Sequence, residues 1–124
     1  MAKILIADDS KLQVQLISTC LAERGFAVIS AGDALQTWMI ALREKPAAIV
    51  LDISMPGGTG VEVLKRLRMS AKTQHIPVIV VSGSSEPNIE NTVKELGARD
   101  FLSKPVDTKQ LGELLSHLLN QPIP

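Results

Sequence analysis

The sequence predicts an α/β fold: a doubly wound, five-stranded parallel sheet with five helices. Short apolar runs alternate five times with segments of helical periodicity, which is typical of βαβ units. With 124 residues, of which 45% are hydrophobic, the chain is long enough to bury roughly two thirds of its unfolded surface in one core. No low-complexity tract interrupts the pattern. We therefore expect one domain over residues 1–120 and a tail over residues 121–124.

The apolar runs place the five strands. They are predicted at Lys3–Ala7, Ala27–Ala31, Ala47–Leu51, Pro77–Val81 and Asp100–Leu102. The third run is continuously apolar, as expected of a strand that is buried on both faces of a parallel sheet. Right-handed crossovers favour the strand order 2-1-3-4-5, with the switch point of the topology between strands one and three.

The helix boundaries carry local signals. Several starts show a capping side chain followed three residues later by Gln or Glu; the pairs are Ser10/Gln13, Asp33/Gln36, Thr59/Glu62 and Asp107/Gln110. Gly25 and Gly97 follow apparent last turns, where a glycine in the left-handed conformation closes a helix. Each predicted strand is therefore followed by a helix with a recognisable start or end.

The single tryptophan, Trp38, falls in the second predicted helix. Together with Leu35, Met39 and Leu42, it has the spacing of a helix face that is turned toward the core. A tryptophan is seldom wholly buried and can also mark a contact with another molecule. We expect this group to pack inside the domain.

Charge and cysteine content exclude several classes of function. The 13 basic and 13 acidic residues give a net charge of zero, so the sequence has no electrostatic signature of nucleic-acid or membrane binding. The only cysteine, Cys20, leaves no partner for a disulfide or a thiolate zinc site, which suits a reducing compartment. The first apolar run is too short for a signal segment or a membrane span. We expect a cytoplasmic protein.

Three carboxylates are predicted at one edge of the sheet. Asp8 and Asp9 follow strand one, and Asp52 follows strand three, so all three flank the switch point, where ligands bind in open α/β sheets. Each alone could cap a helix or end a strand. Together they repel, and either proton uptake or a hard divalent cation relieves that repulsion. Mg²⁺ is favoured, because it typically combines one or two carboxylates with phosphate oxygens and water.

Two further polar residues follow strands four and five. Ser82 precedes Gly83, and Lys104 precedes Pro105. Considered singly, Ser82 would be interpreted as a loop hydroxyl and Lys104 as a solvated surface lysine. Beside the three carboxylates, a hydroxyl and an amine complete the set of groups that phosphoryl transfer to a carboxylate requires.

In this order and at this spacing, the residues resemble the receiver domain of a response regulator in two-component signalling, of the stand-alone, chemotaxis-regulator-like kind with flavodoxin-like topology. The resemblance runs from Lys3 to Leu119. It rests on Asp8-Asp9, Asp52, Met55-Pro56-Gly57, Gly60, Ser82-Gly83 and Lys104-Pro105.

The resemblance implies a role for each of these side chains. Asp52 matches the phosphoacceptor; Asp9, Asp52 and the backbone carbonyl of Ser54 match ligands of Mg²⁺, and Asp8 matches the acid that holds the metal mostly through water. Ser82 matches a switch hydroxyl and Lys104 an amine that pairs with the phosphoryl group. Phe101 matches a switch aromatic residue, and Pro105 a proline that usually follows a cis peptide bond.

The implied function is a phosphorylation-activated switch. A sensor histidine kinase or histidine phosphotransfer protein would donate the phosphoryl group to Asp52 with Mg²⁺, and a downstream protein target would bind the face of helix four, strand five and helix five. The domain would catalyse its own phosphorylation and dephosphorylation.

Other functions fit the sequence less well. The main alternative is a phosphorylation-independent adaptor that uses the same face. A haloacid-dehalogenase-like phosphatase needs a second acid at the position of Ser54, and a flavin carrier needs a phosphate-binding loop in place of Asp8 and Asp9.

Overall fold

The computed structural model describes residues 2–54, 60–83 and 88–119. Within those ranges five strands and five helices alternate: β1 (Lys3–Ala7), α1 (Lys11–Glu23), β2 (Ala27–Ala31), α2 (Ala34–Glu44), β3 (Ala48–Asp52), α3 (Gly60–Met69), β4 (Val78–Ser82), α4 (Ile89–Glu95), β5 (Asp100–Ser103) and α5 (Thr108–Leu118). Two strands match the predicted ranges, β3 and β4 lie one residue later, and β5 is one residue longer.

The sheet is parallel throughout, and its order is β2-β1-β3-β4-β5, as predicted. Register aligns the strand ends closely: Ala7 pairs with Leu51, and Asp52 pairs with Val81. The carboxyl ends of the strands therefore meet at one edge, where the predicted polar residues are found.

Local capping explains where the helices start and stop. Ser10, Asp33 and Asp107 each accept a hydrogen bond from the backbone amide three residues later, which satisfies an amide that the first helical turn leaves unpaired. Gly25 and Gly97 have φ angles of 88° and 100°, so both predicted stops are confirmed. Thr59, the remaining predicted cap, lies outside the described residues.

The core consists of two apolar clusters, one on each face of the sheet. Successive strand residues alternate between them, since side chains on a strand point to opposite faces. Ile49 and Leu51 join the cluster beneath α2, α3 and α4, whereas Val50 joins the one beneath α1 and α5. Among the described residues, no helix is long and apolar enough to cross a membrane.

Helix α2 departs from the sequence prediction. Leu35 and Met39 are 62% and 54% exposed, so the expectation that they pack in the core was wrong. The face that covers the sheet is formed by the smaller residues Ala34, Thr37 and Ala41. Trp38 is half-buried against the core cluster, and the guanidinium carbon of Arg66 lies 4.6 Å from its ring centroid.

The two ends of α4 are held differently. At its start, Asn88 has a φ of 68°, and its side chain makes no capping hydrogen bond. At the other end, the side chain of Arg68 lies against Gly97 and donates a hydrogen bond to the carbonyl oxygen of Ile76. A Cβ atom at Gly97 would come within 2.6 Å of the Arg68 side chain, so the glycine makes room for it.

Candidate functional site

Asp52 is the last residue of β3 and is 2% exposed. Its Oδ1 accepts a hydrogen bond from the backbone amide of Ser54 at 2.9 Å. A buried carboxylate is costly unless such donors compensate for the lost water. The turn after β3 therefore holds the Asp52 carboxylate in place. The carboxylate lies at the edge of the sheet, between the ends of β1 and β4.

Asp8 follows β1 and is also buried. Its backbone amide donates to the carbonyl of Ala31 at 3.0 Å, and its Oδ1 accepts from the amide of Ser10 at 2.9 Å. Asp9, the next residue, is exposed. The two adjacent acids thus face different surroundings at the mouth of the crevice.

The three predicted carboxylates come together. One carboxylate oxygen from each of Asp8, Asp9 and Asp52 lies within 4.8 Å of the others. Burial raises the pKa of Asp8; the Ser10 hydrogen bond opposes this, and the negative charges of Asp52 and Asp9 add to it. A set of oxygen donors whose charges repel one another fits a hard divalent cation.

Lys104 supplies the positive charge of the site. Its Nζ lies 2.9 Å from Oδ2 of Asp52 and 3.8 Å from Oδ2 of Asp8. Burial alone would lower the pKa of Lys104, but the hydrogen bond to Asp52 and the charges of Asp52, Asp8 and Asp9 outweigh it and raise the pKa. The peptide bond to Pro105 is cis, as predicted.

Ser82 and Phe101 lie beside this cluster on β4 and β5. Ser82 is the buried last residue of β4, and its carbonyl accepts a hydrogen bond from the Lys104 amide at 2.9 Å. Phe101 pairs with Val80 across the sheet and is half-buried against the apolar cluster beneath α2, α3 and α4, against which Ile89 of α4 also packs. Phe101 therefore lies on the sheet face that α4 covers.

One contact at the site was not identified from the sequence. Gly60, the first residue of α3, lies so close to β3 that an added Cβ would overlap the Cα of Ile53 and approach the carbonyl oxygen of Asp52 to 3.0 Å. Its amide also donates to the carbonyl of Ile53 at 3.0 Å. Gly60 stood only as a motif residue in the sequence, because spacing alone does not reveal so close an approach of two backbones.

The geometry thus brings together Asp8, Asp9, Asp52 and Lys104, and it places Ser82 on the adjoining strand. Ser54 is present in the turn, and the role of its carbonyl as a metal ligand stays a prediction. Met55, Pro56 and Gly57 are outside the part of the chain that the structure describes.

A buried acid at the end of β3, two acids after β1 and a lysine after β5, on a sheet of this order, define a class of signalling domain. Residues 4–116 match the family model described as the response regulator receiver domain. The chain belongs to this family.

Individual relatives support the assignment. Protein PilH of Pseudomonas aeruginosa is 35% identical over 119 residues, which cover 96% of this chain and 98% of PilH. Sporulation initiation phosphotransferase F of Bacillus subtilis is 31% identical, with 94% and 93% covered. Some relatives are longer: the chain spans 24% of the response regulator PleD of Caulobacter vibrioides.

Solved structures of response regulators have the same fold as this chain. The chemotaxis response regulator CheY4 of Vibrio cholerae has a TM-score of 0.88 and 30% identity, and the alignment covers 96% of this chain and 99% of that one. The fold predicted from the sequence is therefore confirmed.

Proposed function

We propose that the chain is a phosphorylation-activated receiver whose phosphoacceptor is Asp52. The observation that carries the proposal is the pairing of this buried carboxylate with Lys104 at 2.9 Å, beside two further carboxylates. An ionised carboxylate that is held in place near a cation is suited to act as a nucleophile. The receiver would extend over residues 1–120, with residues 121–124 as a tail.

In the forward step, a carboxylate oxygen of Asp52 attacks the phosphorus of a phosphohistidine. A new O–P bond forms and the P–N bond breaks, so the imidazole of the donor leaves and takes up a proton. The donor is a sensor histidine kinase or a histidine phosphotransfer protein. Because such donors act inside the cell, we place the protein in the cytoplasm. Among the described residues, each Asp52 oxygen accepts one hydrogen bond, so lone pairs remain for the attack.

Charge on the transferring oxygens requires compensation. Lys104 is within reach of the group that forms on Asp52, and its raised pKa keeps it protonated. Asp8, Asp9, Asp52 and the carbonyl of Ser54 are the groups that would hold Mg²⁺. When bound, the metal supplies further charge neutralisation at the phosphoryl oxygens.

The output depends on Ser82 and Phe101. We infer that the Ser82 hydroxyl turns toward the phosphoryl group on Asp52 and that Phe101 then moves inward. Since Phe101 packs against the same apolar cluster as Ile89 of α4, its movement would change the face formed by α4, β5 and α5, which a downstream protein target would bind. Water that attacks the acyl phosphate would later return the domain to its resting state.

Labelling with a small phosphodonor tests the proposal. Incubation with ³²P-labelled acetyl phosphate and Mg²⁺ should label the wild-type chain, and Asp52→Asn should abolish the label. Asp33→Asn is the matched control, because Asp33 also follows a strand but caps α2 through a bond that Asn can replace. Asp9→Asn should raise the Mg²⁺ concentration that half-maximal labelling requires. Undiminished labelling of Asp52→Asn would refute the assignment.

A phosphorylation-independent adaptor is the competing function, and amide NMR spectra distinguish it. Beryllofluoride with Mg²⁺ mimics the phosphoryl group, so a receiver should show shifts at Phe101 and along α4. An adaptor would show shifts near Asp52 alone.

A further inference from the structure

A cavity lies between the last turns of α5 and the edge strand β5, and we call it the α5–β5 cavity. Its volume is about 410 Å³, which is within the range of small-molecule sites in proteins. The residues that line it come from β4, from the start of β5 and from α5: Ile79, Arg99, Asp100, Leu114, His117 and Leu118. None of them belongs to the acidic crevice, which is at the opposite ends of the strands.

The floor of the α5–β5 cavity is apolar. Ile79 is fully buried, and Leu114 and Leu118 are half-buried against the apolar cluster beneath α1 and α5. Leu114, His117 and Leu118 share one side of α5, because residues three and four apart are neighbours on a helix. A ligand that enters the cavity would therefore place an apolar group against these side chains.

Two opposite charges stand at the mouth of the cavity. Arg99 is exposed and Asp100 is half-buried, and the backbone of Arg99 is fixed to β4 through a hydrogen bond of 2.8 Å to the carbonyl of Val78. The Asp100 side chain is on the sheet face that α5 covers, since Leu102, two residues later on the strand, packs against the cluster on that face. Both charges are thus held beside the apolar floor.

Neither charge has a partner of opposite sign in contact with it. None of the ion pairs in residues 2–54, 60–83 and 88–119 includes Arg99 or Asp100. Oδ1 of Asp100 accepts a hydrogen bond from the Phe101 amide at 2.9 Å. Lys94 bonds to Glu90 at 3.0 Å; this bond raises the pKa of Lys94 most, and the charge of Asp100 adds to the effect. The mouth of the cavity therefore offers one free cation and one free anion.

We propose that the α5–β5 cavity binds a small zwitterion with an apolar body, of the class of apolar α-amino acids. The ligand carboxylate pairs with Arg99, its ammonium group pairs with Asp100, and its side chain lies against Leu114 and Leu118. An organic anion would bring its charge near Asp100 without a donor for that carboxylate, and an organic cation would leave Arg99 unpaired. A segment inside a peptide chain has amide groups in place of both charges, so it fits less well.

Titration of the full chain with L-leucine, followed by amide NMR spectra, tests the proposal. We expect saturable shifts at Arg99, at Asp100 and along the last turns of α5, with a Kd of about 1 mM. Three comparison ligands each lack one feature: leucinamide the carboxylate, 4-methylpentanoate the ammonium group and L-alanine the larger apolar body. Each should bind at least about tenfold more weakly than L-leucine. Equal binding of any one of them, or no saturable shift with L-leucine, would overturn the proposal.

Variants assign each charge of the ligand to its partner. Arg99→Gln should weaken binding of L-leucine about tenfold and leave binding of leucinamide unchanged. Asp100→Asn should weaken binding of L-leucine but not of 4-methylpentanoate. The matched control combines Lys109→Gln with Glu113→Gln, an exposed cation and an exposed acid of α5 that do not line the cavity, and should bind L-leucine as the wild type does. Circular dichroism would verify that each variant folds. An equal loss of binding in the control would show a general effect of charge and refute the proposal.

These results are separate from the phosphoacceptor assignment. Asp52→Asn should bind L-leucine as the wild type does, and Arg99→Gln should still be labelled by acetyl phosphate. Loss of L-leucine binding in Asp52→Asn would contradict the independence of the two sites.

Discussion

The ends of β1 and β3 each place a buried carboxylate in almost the same local geometry. Asp8 and Asp52 both accept a hydrogen bond at 2.9 Å from the amide two residues later. They differ in the distance to the Lys104 ammonium, which is 2.9 Å from Asp52 and 3.8 Å from Asp8. The same turn chemistry therefore holds both acids, and a residue that β5 delivers from 52 positions away in sequence makes them chemically unequal.

That inequality shows in the electrostatics. Burial raises the pKa of Asp8, and the more distant Lys104 only partly offsets the neighbouring negative charges. Asp52 has the ammonium in direct contact. Lys104 therefore compensates the negative charge of Asp52 more directly than that of Asp8.

The largest effect is expected from the packing beneath the end of β3. Gly60→Ala would force a Cβ against the backbone of Ile53 and Asp52, so we expect a loss of about 3 kcal/mol in the free energy of unfolding. Urea denaturation measures it. Gly32→Ala is the control, because an added Cβ there meets nothing within 4 Å. Similar stabilities for the two variants would show that β3 can shift without cost.

Removing the ammonium group tests the asymmetry directly. Lys104→Ala leaves two buried carboxylates without their cation. We expect the free energy of unfolding near neutral pH to fall by about 2 kcal/mol, less than for a fully buried ion pair because Lys104 is partly exposed. The stability difference between the variant and the wild type should become smaller in acid, because the carboxyl groups then take up protons.

In the wild type, the same pair predicts a loss of stability in alkali. Because the pKa of Lys104 is raised in the fold, its contribution is complete below the ordinary value of 10.5 and is lost as the pH rises through the folded value. Lys72→Ala, in an exposed loop, is the control. A deficit for Lys104→Ala that does not change with pH would mean that the lysine acts through packing.

Neutralising Asp8 should stabilise the metal-free protein. Because the pKa of Asp8 is raised in the fold, its ionised form costs stability as the pH rises above the ordinary value of 3.8. Asp8→Asn should therefore raise the melting temperature in EDTA by a few degrees at pH 7, and the gain should vanish near pH 3. Mg²⁺ should stabilise the wild type more than the variant. A lower melting temperature for Asp8→Asn in EDTA would contradict this.

The smallest effect belongs to the opposite end of β1, where Lys3 and Glu44 form a partly exposed pair at 2.8 Å. Lys3 lowers the pKa of Glu44 through a hydrogen bond, and Arg43 adds to this. The contribution of this ion pair to stability is present above pH 4.5, the ordinary pKa of Glu44. It is lost as the pH falls through the lower pKa that Glu44 has in the folded protein. Lys3→Gln should lower the melting temperature only at low ionic strength, with no difference in 1 M NaCl. A deficit that persists in high salt would contradict the assignment.

The sequence predicted the fold and the site clustering because both follow from short-range signals. Apolar runs located the strands to within a residue, and the parallel order then brought Asp8, Asp9 and Asp52 to one edge. Gly25 and Gly97 could be read as helix ends, because few other residues adopt positive φ.

The errors and omissions have physical causes as well. Periodicity identified an apolar side of α2, but it could not show that Ala34, Thr37 and Ala41 fill the space against the sheet and turn Leu35 and Met39 outward. Direct contact of Lys104 with Asp52 depends on side-chain reach across the sheet, and the approach of Gly60 to Ile53 depends on tertiary packing.

The two ends of helix α4 should differ in mobility, because side-chain contacts hold only one of them in the part of the chain that the structure describes. Arg68 lies against Gly97 and bonds to the carbonyl of Ile76, whereas the opposite end begins at Asn88, in the left-handed conformation and without a side-chain cap. Local opening should therefore begin at Asn88 and travel toward Gly97, so amide hydrogen exchange should slow along the helix. Any shift that reaches α4 should therefore displace its Asn88 end more than its Gly97 end.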